Sequence, residues 1–363
     1  MNKYLKYIPI FIIASALSFG IGIGVAELQI RFWPSSIKGF KTENLKTEET
    51  AKNVEEAPKN IKTELAPQEA EVENKEKAEE APPAPAVPVE EPAAPSASKF
   101  SFAILGDTQR FDSKNPNGGF QKAVKNISAK NVDLVMAEGD LLSSCKDGCS
   151  AKLTTWKNIL GSLAPKTYEM MGNHDRTGGD SADSAWQNSF KLPTNGPKGY
   201  SELVYSFDFQ NSHFVVLNSE KPEEHVINKT QRDWLKNDLS KNKKENTFVF
   251  FHEPAYPVSS KIGESLDVES GERNALWNIL TDNKVAAVFN GHEHIYSRKK
   301  IGNVYQFVFG NTDSFDHDLP KGGVAEYSYK GKHFGIVEVD GKQITVNLYS
   351  VEGNLIDSFK FSH

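Results

Sequence analysis

The sequence predicts an α/β fold, and three observations carry that prediction. Five short runs rich in β-branched and aromatic residues, 100–105, 132–137, 167–171, 247–251 and 285–289, are too short for buried helices and read as buried strands. Helix-like segments at 119–130 and 151–163 separate the first three runs, which argues for parallel strands joined by right-handed crossovers. A polar block follows every run: Gly106-Asp107-Thr108-Gln109, Gly139-Asp140, Gly172-Asn173-His174-Asp175, the lone His252, and Gly291-His292-Glu293-His294. In open α/β sheets ligands collect beyond the carboxyl ends of the strands, so these blocks are expected to meet in one cleft.

The chain has 363 residues and an uneven composition. Lys3 and Lys6 precede an uncharged apolar run over 7–26, long enough to cross a hydrocarbon core of roughly 30 Å. A retained membrane anchor (1–34) is the favoured reading, because the hydrophobic core of a cleaved signal peptide is usually about 7 to 15 residues. Cleavage near the small residues Gly24 and Ala26 is the competing one and would yield a secreted protein. The flanking lysines place the amino terminus in the cytoplasm and the rest extracytoplasmic, in a periplasm or at a cell surface. Residues 35–98 are Glu, Lys, Ala and Pro with almost no aromatics, a composition that cannot bury enough surface to offset ordering; they form a linker. The globular domain is expected over 99–363.

Beyond Asp175 the pattern loosens. Polar loops at 178–183 and 193–199 flank a short helical candidate, 183–190. Residues 203–209 and 213–218 read as a hairpin about Gln210-Asn211-Ser212. Helices are expected over 230–239, with Trp234, Leu235 and Leu239 on one face, and over 269–281, with Ala275, Leu276, Ile279 and Leu280. Four alternating runs then follow, 304–309, 334–339, 344–349 and 355–361, with turns at Asp340-Gly341 and Glu352-Gly353; they are expected to form a second sheet.

The convergent side chains are carboxylates, imidazoles and an amide oxygen, a donor set that suits divalent Mn, Fe, Zn or Co. Asp140 has two oxygens with which to bridge two cations. Two metals about 3.5 to 4 Å apart can clamp both the attacking and leaving oxygens of an in-line displacement at phosphorus. The net charge of −6 is modest and the basic residues form no stripe in the sequence, so no nucleic-acid partner is indicated. Cys145 and Cys149, the only cysteines, share one loop, and outside the cytoplasm they are expected to pair as a disulfide.

In chain order these blocks resemble the calcineurin-like metallophosphoesterase superfamily, with its Asp-x-His, Gly-Asp, Gly-Asn-His-Asp/Glu, lone His and Gly-His-x-His pattern, over about 100–300. Tyr205-Ser-Phe-Asp-Phe, Gln231-Arg-Asp-Trp-Leu, Phe251-His-Glu-Pro and Gly291-His-Glu-His-Ile-Tyr-Ser-Arg298 are similar to the purple acid phosphatase branch. The resemblance implies two packed mixed β-sheets flanked by helices, in four α/β/β/α layers. It implies that Asp107, Asp140 and His294 hold one metal and that Asp140, Asn173, His252 and His292 hold the other. His174 would then face the leaving group as general acid or hydrogen-bond donor, and Asp175 would brace a histidine or the turn.

Two positions depart from the family pattern. Gln109 stands where a histidine is common, and would reach a metal or contact substrate instead. Ser143 stands where the purple branch has its coloured tyrosine, which leaves the first metal's identity open. Four of the nine histidines fall in motif positions; His213 sits in a strand run and reads as structural, while His225 and His317 lie in polar loops and read as surface residues. Arg298, Asn311 and Asp313 follow strand ends near the last motif and are expected to line a substrate pocket.

The implied function is a dinuclear-metal hydrolase acting on phosphate esters by in-line attack of a metal-bridging hydroxide, with monoesters slightly favoured. The alternatives are a phosphodiesterase acting on cyclic nucleotides or nucleotide-linked envelope molecules, and a surface-displayed binding or scaffold protein with an impaired site. Gln109 is the feature that supports the scaffold reading.

Overall fold

The computed structural model describes residues 99–111, 113–319 and 324–363. The expected anchor and linker lie outside the described residues. Among those described, no helix is long and apolar enough to cross a membrane.

The chain runs β1 (Lys99–Leu105), α1 (Gly119–Ser128), β2 (Leu134–Ala137), α2 (Cys149–Leu160), a 3-10 helix at Gly161–Lys166, β3 (Thr167–Glu169) and α3 (Asp180–Ser189). It continues through β4 (Tyr205–Phe209), β5 (Ser212–Val216), α4 (Lys229–Lys241), β6 (Asn246–Phe250), α5 (Ser270–Asp282) and β7 (Ala287–Asn290). The last strands are β8 (Tyr296–Ile301), β9 (Val304–Phe309), β10 (Tyr327–Tyr329), β11 (His333–Asp340), β12 (Gln343–Ser350) and β13 (Leu355–Ser362). Local chemistry sets the boundaries. The helix expected over 151–163 stops at Leu160 because Gly161 takes a positive φ of 56°, and the chain tightens into the 3-10 turn that holds Pro165. At the other kind of end, the Asn228 side chain accepts the Gln231 N–H and caps α4.

Two mixed sheets result. One has the order β13-β12-β11-β1-β2-β3 and the other β10-β8-β9-β7-β6-β5-β4. This corrects two expectations. The five runs that carry the polar blocks do not share a sheet: β1, β2 and β3 lie in the first, and β6 and β7 in the second. Nor do the late runs form a sheet of their own. β11 pairs antiparallel with β1, from Lys99↔Asp340 to Ile104↔Gly335, so β11 to β13 extend the first sheet. β9 instead runs parallel to β7 in the second. The strand that makes this possible, β8, reads as polar and basic in sequence; it folds back on β9 across a two-residue turn at Gly302-Asn303.

Phenylalanine holds the sheets face to face. Phe102 of β1 has ring centroids 5.3 Å from Phe214, 5.4 Å from Phe248 and 6.0 Å from Phe289, all on the opposing sheet. Further along, Tyr305 of β9 meets Phe361 of β13 at 4.7 Å. Each fully buried phenylalanine contributes roughly 1.5–3 kcal/mol. Outside this seam, Phe120 of α1 stacks on Trp156 of α2 at 5.4 Å, and the indole N–H reaches the Thr108 hydroxyl at 2.8 Å, tying α2 to the loop after β1. With the inner faces locked, the loops after β1, β2, β3, β6 and β7 meet at one edge of the seam.

Candidate functional site

Three of the loop residues adopt backbone that L-amino acids rarely take. Asp107, Asp140 and His292 have φ of 53°, 50° and 65°, each at a cost of order 1–3 kcal/mol. The surrounding packing imposes this. A Cβ on Gly172 would collide with the Asp140 carboxylate, and one on Gly291 would lie 2.5 Å from Asp107 Oδ2.

The side chains so aimed converge. Asp107 accepts the backbone N–H of His292 at 3.1 Å and lies 3.3 Å from His294 Nε2. Asp140 Oδ1 accepts the His174 N–H at 2.9 Å and stands 3.4 Å from His252 Nε2. Asn173 Oδ1 is 3.2 Å from both His252 Nε2 and His292 Nδ1. One donor atom each from Asp107, Asp140 and His252 fall within 4.8 Å of one another, in a buried group that could hold a metal ion.

The histidines are oriented from behind. His252 Nδ1 lies 2.7 Å from the Glu138 carbonyl, His292 Nε2 2.7 Å from the Glu264 carbonyl and His294 Nδ1 2.8 Å from the Phe315 carbonyl. A carbonyl only accepts, so each outer nitrogen carries the proton, and in the neutral ring the inner nitrogen presents a lone pair. The inner nitrogens of His252 and His292 face carboxylate and amide oxygens, which offer no protons either. Gln109 differs: its amide NH2 donates toward His294 Nε2 at 3.1 Å and Asp140 at 3.4 Å, while its buried Oε1 has no hydrogen-bond partner. Inward lone pairs on N and O atoms, with one amide oxygen left over, fit a borderline divalent cation.

The electrostatics show a demand for positive charge: burial opposes protonation of His252, but Asp140, Asp107 and Glu220 outweigh it and raise its pKa well above the imidazole range. Burial raises the pKa of Asp107; burial together with the Asp107 charge raises that of Glu138 well above the ordinary range. Burial opposes ionisation of Asp140 too, but the imidazoles of His252, His174 and His292 outweigh it and hold its carboxyl below the usual carboxylate range. Burial and the neighbouring His252 drive the His292 pKa well down. Positive charge is what this cluster of buried carboxyls calls for.

The other expected residues divide. Asp175 accepts three backbone N–H groups, from Gly172 and Leu141 at 3.1 Å and Leu142 at 2.9 Å, and so braces the turn. Burial and Asp140 push its pKa up to about 8 while those donors pull it back. The half-exposed His174 sets Nδ1 3.1 Å from the Ser143 carbonyl, with Nε2 3.9 Å from Asp140. Cys145 and Cys149 are joined as a disulfide in the loop after Asp140, with Cα atoms 4.6 Å apart.

The remaining residues fall in several places. Arg298 lies within β8, its guanidinium paired with Asp357 at 2.7 Å and stacked over Phe359 at 3.9 Å, so its charge is spent inside the fold. Asn311 is buried and spends its amide on Asp316 and the Ser314 N–H; Asp313 accepts the Phe120 N–H at the start of α1, pairs with Lys332 and, as expected of a pocket residue, lines a concavity with Arg110 and Phe315. His317 is not a simple surface residue: its ring stacks on His294 at 3.9 Å and its Nδ1 accepts the His294 N–H. His225 likewise turns inward, to Glu253 at 2.7 Å, whereas His213 stays structural, between Asp208 and Asp238.

Glu138, Ser314, whose hydroxyl lies 3.1 Å from His294 Nδ1, and the carbonyls of Glu264 and Phe315 escaped the sequence reading. Only Glu138 left a trace there, as a lone charge at the end of an apolar run.

With this geometry in hand, the likeness to known proteins follows the site. Arabidopsis thaliana purple acid phosphatase 21 is 29% identical over 216 residues, 57% of this chain and 46% of that protein. Sus scrofa tartrate-resistant acid phosphatase type 5 is 25% identical over 219 residues, 51% of this chain and 61% of that protein. The chain thus spans about half the length of the plant relative. The solved purple acid phosphatase PPD1 of yellow lupin (Lupinus luteus) superposes with a TM-score of 0.59 at 16% identity, over 73% of this chain and 54% of that one, a likeness of fold. The calcineurin-like phosphoesterase family model matches residues 100–296, the stretch that delivers every inward-facing donor described above, and the chain belongs to that family.

Proposed function

We propose that this chain is a two-metal hydrolase of phosphate esters, with monoesters favoured. The observation that carries the reading is the set of three imidazoles pinned by backbone carbonyls with their inner nitrogens turned toward Asp107, Asp140 and Asn173.

Asp107 and His294 would hold one cation, Asn173, His252 and His292 the other, and the Asp140 carboxylate would be shared. Two divalent cations bound there supply Lewis-acid charge for an in-line displacement at phosphorus and lower the pKa of water to about 7. The protein's own groups do the rest. His174 is the motif imidazole most open to solvent; its Nδ1–H rests on the Ser143 carbonyl, and as the doubly protonated imidazolium its Nε2–H would give the proton to the departing oxygen and leave the ring neutral. Asp175 keeps the Asp140 and Asn173 loops in register through its three N–H bonds. Gln109, through its unpartnered oxygen, is read as an added donor to the first cation.

The anchored, extracytoplasmic arrangement belongs to the same proposal. It rests on the lysine-flanked apolar run at 7–26, the linker composition of 35–98, and a disulfide that suits an oxidising compartment.

The test is metal analysis of the purified chain, followed by initial rates on paired aryl phosphate mono- and diesters with added Mn. Metal-dependent turnover with the monoester faster is the expected result. A faster diester would overturn the monoester preference, and full metal occupancy without turnover of either would favour a binding protein on a phosphoesterase fold.

A further inference from the structure

The seam between the sheets has a second end, away from the metal loops, and a concavity of about 580 Å³ opens there, within the range of about 300–1,000 Å³ usual for small-molecule sites. Its walls come from the connections that enter β6 and β7, from the β8–β9 hairpin, and from the β11–β12 turn with the end of β13. Thr247 lies in its wall and His252 in the metal cluster, so at about 3.3 Å per residue roughly 17 Å of chain separates the two sites. Both sheets build it. The Gly341 carbonyl in the β11–β12 turn accepts the side-chain amides of Asn211 at 3.1 Å and Asn246 at 2.9 Å, which pins that turn of the first sheet to the second.

The charge in this space is one-sided. Lys244, Lys284, Lys300 and Lys342 line it, against one acidic side chain, Glu245, whose Oε2 already accepts the Asn211 amide at 2.7 Å. Two of the ammonium groups are engaged: Lys244 donates to the Gln210 carbonyl at 2.8 Å and stands 3.7 Å from Asp208, and Lys300 lies 4.9 Å from the Tyr305 ring centroid. Lys284 and Lys342 have no carboxylate partner among the described residues. Lys284 also ends α5 in left-handed backbone, with φ 53° and the Val285 N–H on the Leu280 carbonyl at 3.0 Å, a capping position that glycine or asparagine usually fills. The four lysines come from separate stretches of chain and meet only in the fold, so no basic stripe marks them in the sequence. Like charges gathered in this way repel one another, and a bound anion relieves the repulsion.

We propose that this concavity is a second ligand site, which takes a small molecule carrying two or more closely spaced phosphates. Ammonium groups at several points of one wall suit a ligand with several anionic groups, because each phosphate offers multiple acceptor oxygens and lysine binds it as a point charge. Lys284 and Lys342 supply the uncompensated charge, one from a connection of each sheet, and Lys244 and Lys300 flank them. The site goes beyond the phosphoesterase reading and does not depend on it. None of the metal donors lines it, so a ligand here leaves Asp107, Asp140 and the three histidines as they are.

The experiment is calorimetric titration of the metal-free full chain with orthophosphate, tripolyphosphate and citrate, at low and at physiological salt. Tripolyphosphate is expected to bind about ten-fold more tightly than either of the others, and less tightly as salt rises. Lys342→Gln and Lys284→Asn should each weaken it about ten-fold, the second with a residue that suits the helix cap and so keeps the fold. Glu245→Gln should strengthen it. Lys125→Gln, which removes the same charge from the exposed face of α1, should leave the affinity unchanged, as should Asp140→Asn in the metal cluster. Tripolyphosphate no tighter than orthophosphate would overturn the proposal, and citrate as tight as tripolyphosphate would overturn the choice of phosphate. So would an affinity that survives Lys342→Gln and Lys284→Asn in variants with unchanged thermal midpoints, or one that falls as far in Lys125→Gln. Turnover of phosphate esters by the Mn-loaded chain should be the same in both lysine variants. Its absence from every form would sink the phosphoesterase reading and leave this site standing.

Discussion

The two sheets contribute different chemistry to one site. The loops after β1, β2 and β3 deliver oxygen, from Asp107, Asp140 and Asn173; those after β6 and β7 deliver nitrogen, from His252, His292 and His294. Neither half has a complete donor set. The oxygen half holds charge but no ligating imidazole, and the nitrogen half holds borderline lone pairs but no negative charge to match a dication. The seam of phenylalanines between the layers therefore fixes the distance between two incomplete sites.

The comparison can be broken hardest at Asp140, the carboxylate that the proposed function shares between the two cations. Asp140→Asn is expected to lower turnover about a thousand-fold or more and to deplete bound metal, read by elemental analysis alongside initial rates. A variant that kept its metal and its rate would dissolve the idea of a shared oxygen.

Removing the metal tests the joint itself. Ligands that bind only the folded state stabilise it by about 4 kcal/mol at 1,000 times their dissociation constant. Chelation is thus expected to lower the thermal midpoint by several degrees and re-addition of Mn to restore it. An unchanged midpoint would mean that the sheets hold their spacing without help.

A smaller and more selective effect is expected at His174, which follows a donor in the oxygen half yet points to the rim. His174→Ala should cut turnover about a hundred-fold with metal content retained. Equal loss of metal in His174→Ala and Asp140→Asn would make His174 part of the grip.

The smallest effect lies away from the donors, at Glu169 in β3 of the oxygen half. Burial pushes its pKa up to about 8. Between about 4.5 and 8 the folded chain keeps a proton that the unfolded chain has released, so stability falls as pH rises across that window. Glu169→Gln is expected to flatten this slope by roughly 1 kcal/mol per pH unit, seen in denaturation midpoints at pH 5 and pH 8. A parallel pH profile in the variant would remove Glu169 from the account.

Much of this was legible in the chain, for reasons that differ residue by residue. Asp107, Asp140, Asn173, His252, His292 and His294 were visible because each follows an apolar run that must be a buried strand. Sheet membership was not. The alternation in β11 and β12 identifies strands, but the pairing of Lys99 with Asp340 spans most of the domain and has no local signature. Arg298 misled by sitting close to a motif while belonging to a strand polar enough to pass for loop. His317 was hidden because its stacking on His294 depends on how the loop after β9 closes. The groups that orient the imidazoles are backbone carbonyls, which no residue type announces.

That last feature sets what can change. Since main-chain oxygens of Glu138, Glu264 and Phe315 carry the orienting bonds, the side chains at the two rim positions are free to be exchanged without loosening the histidines behind them. A scaffold wired in this way can vary its rim side chains while the imidazoles behind them keep their aim.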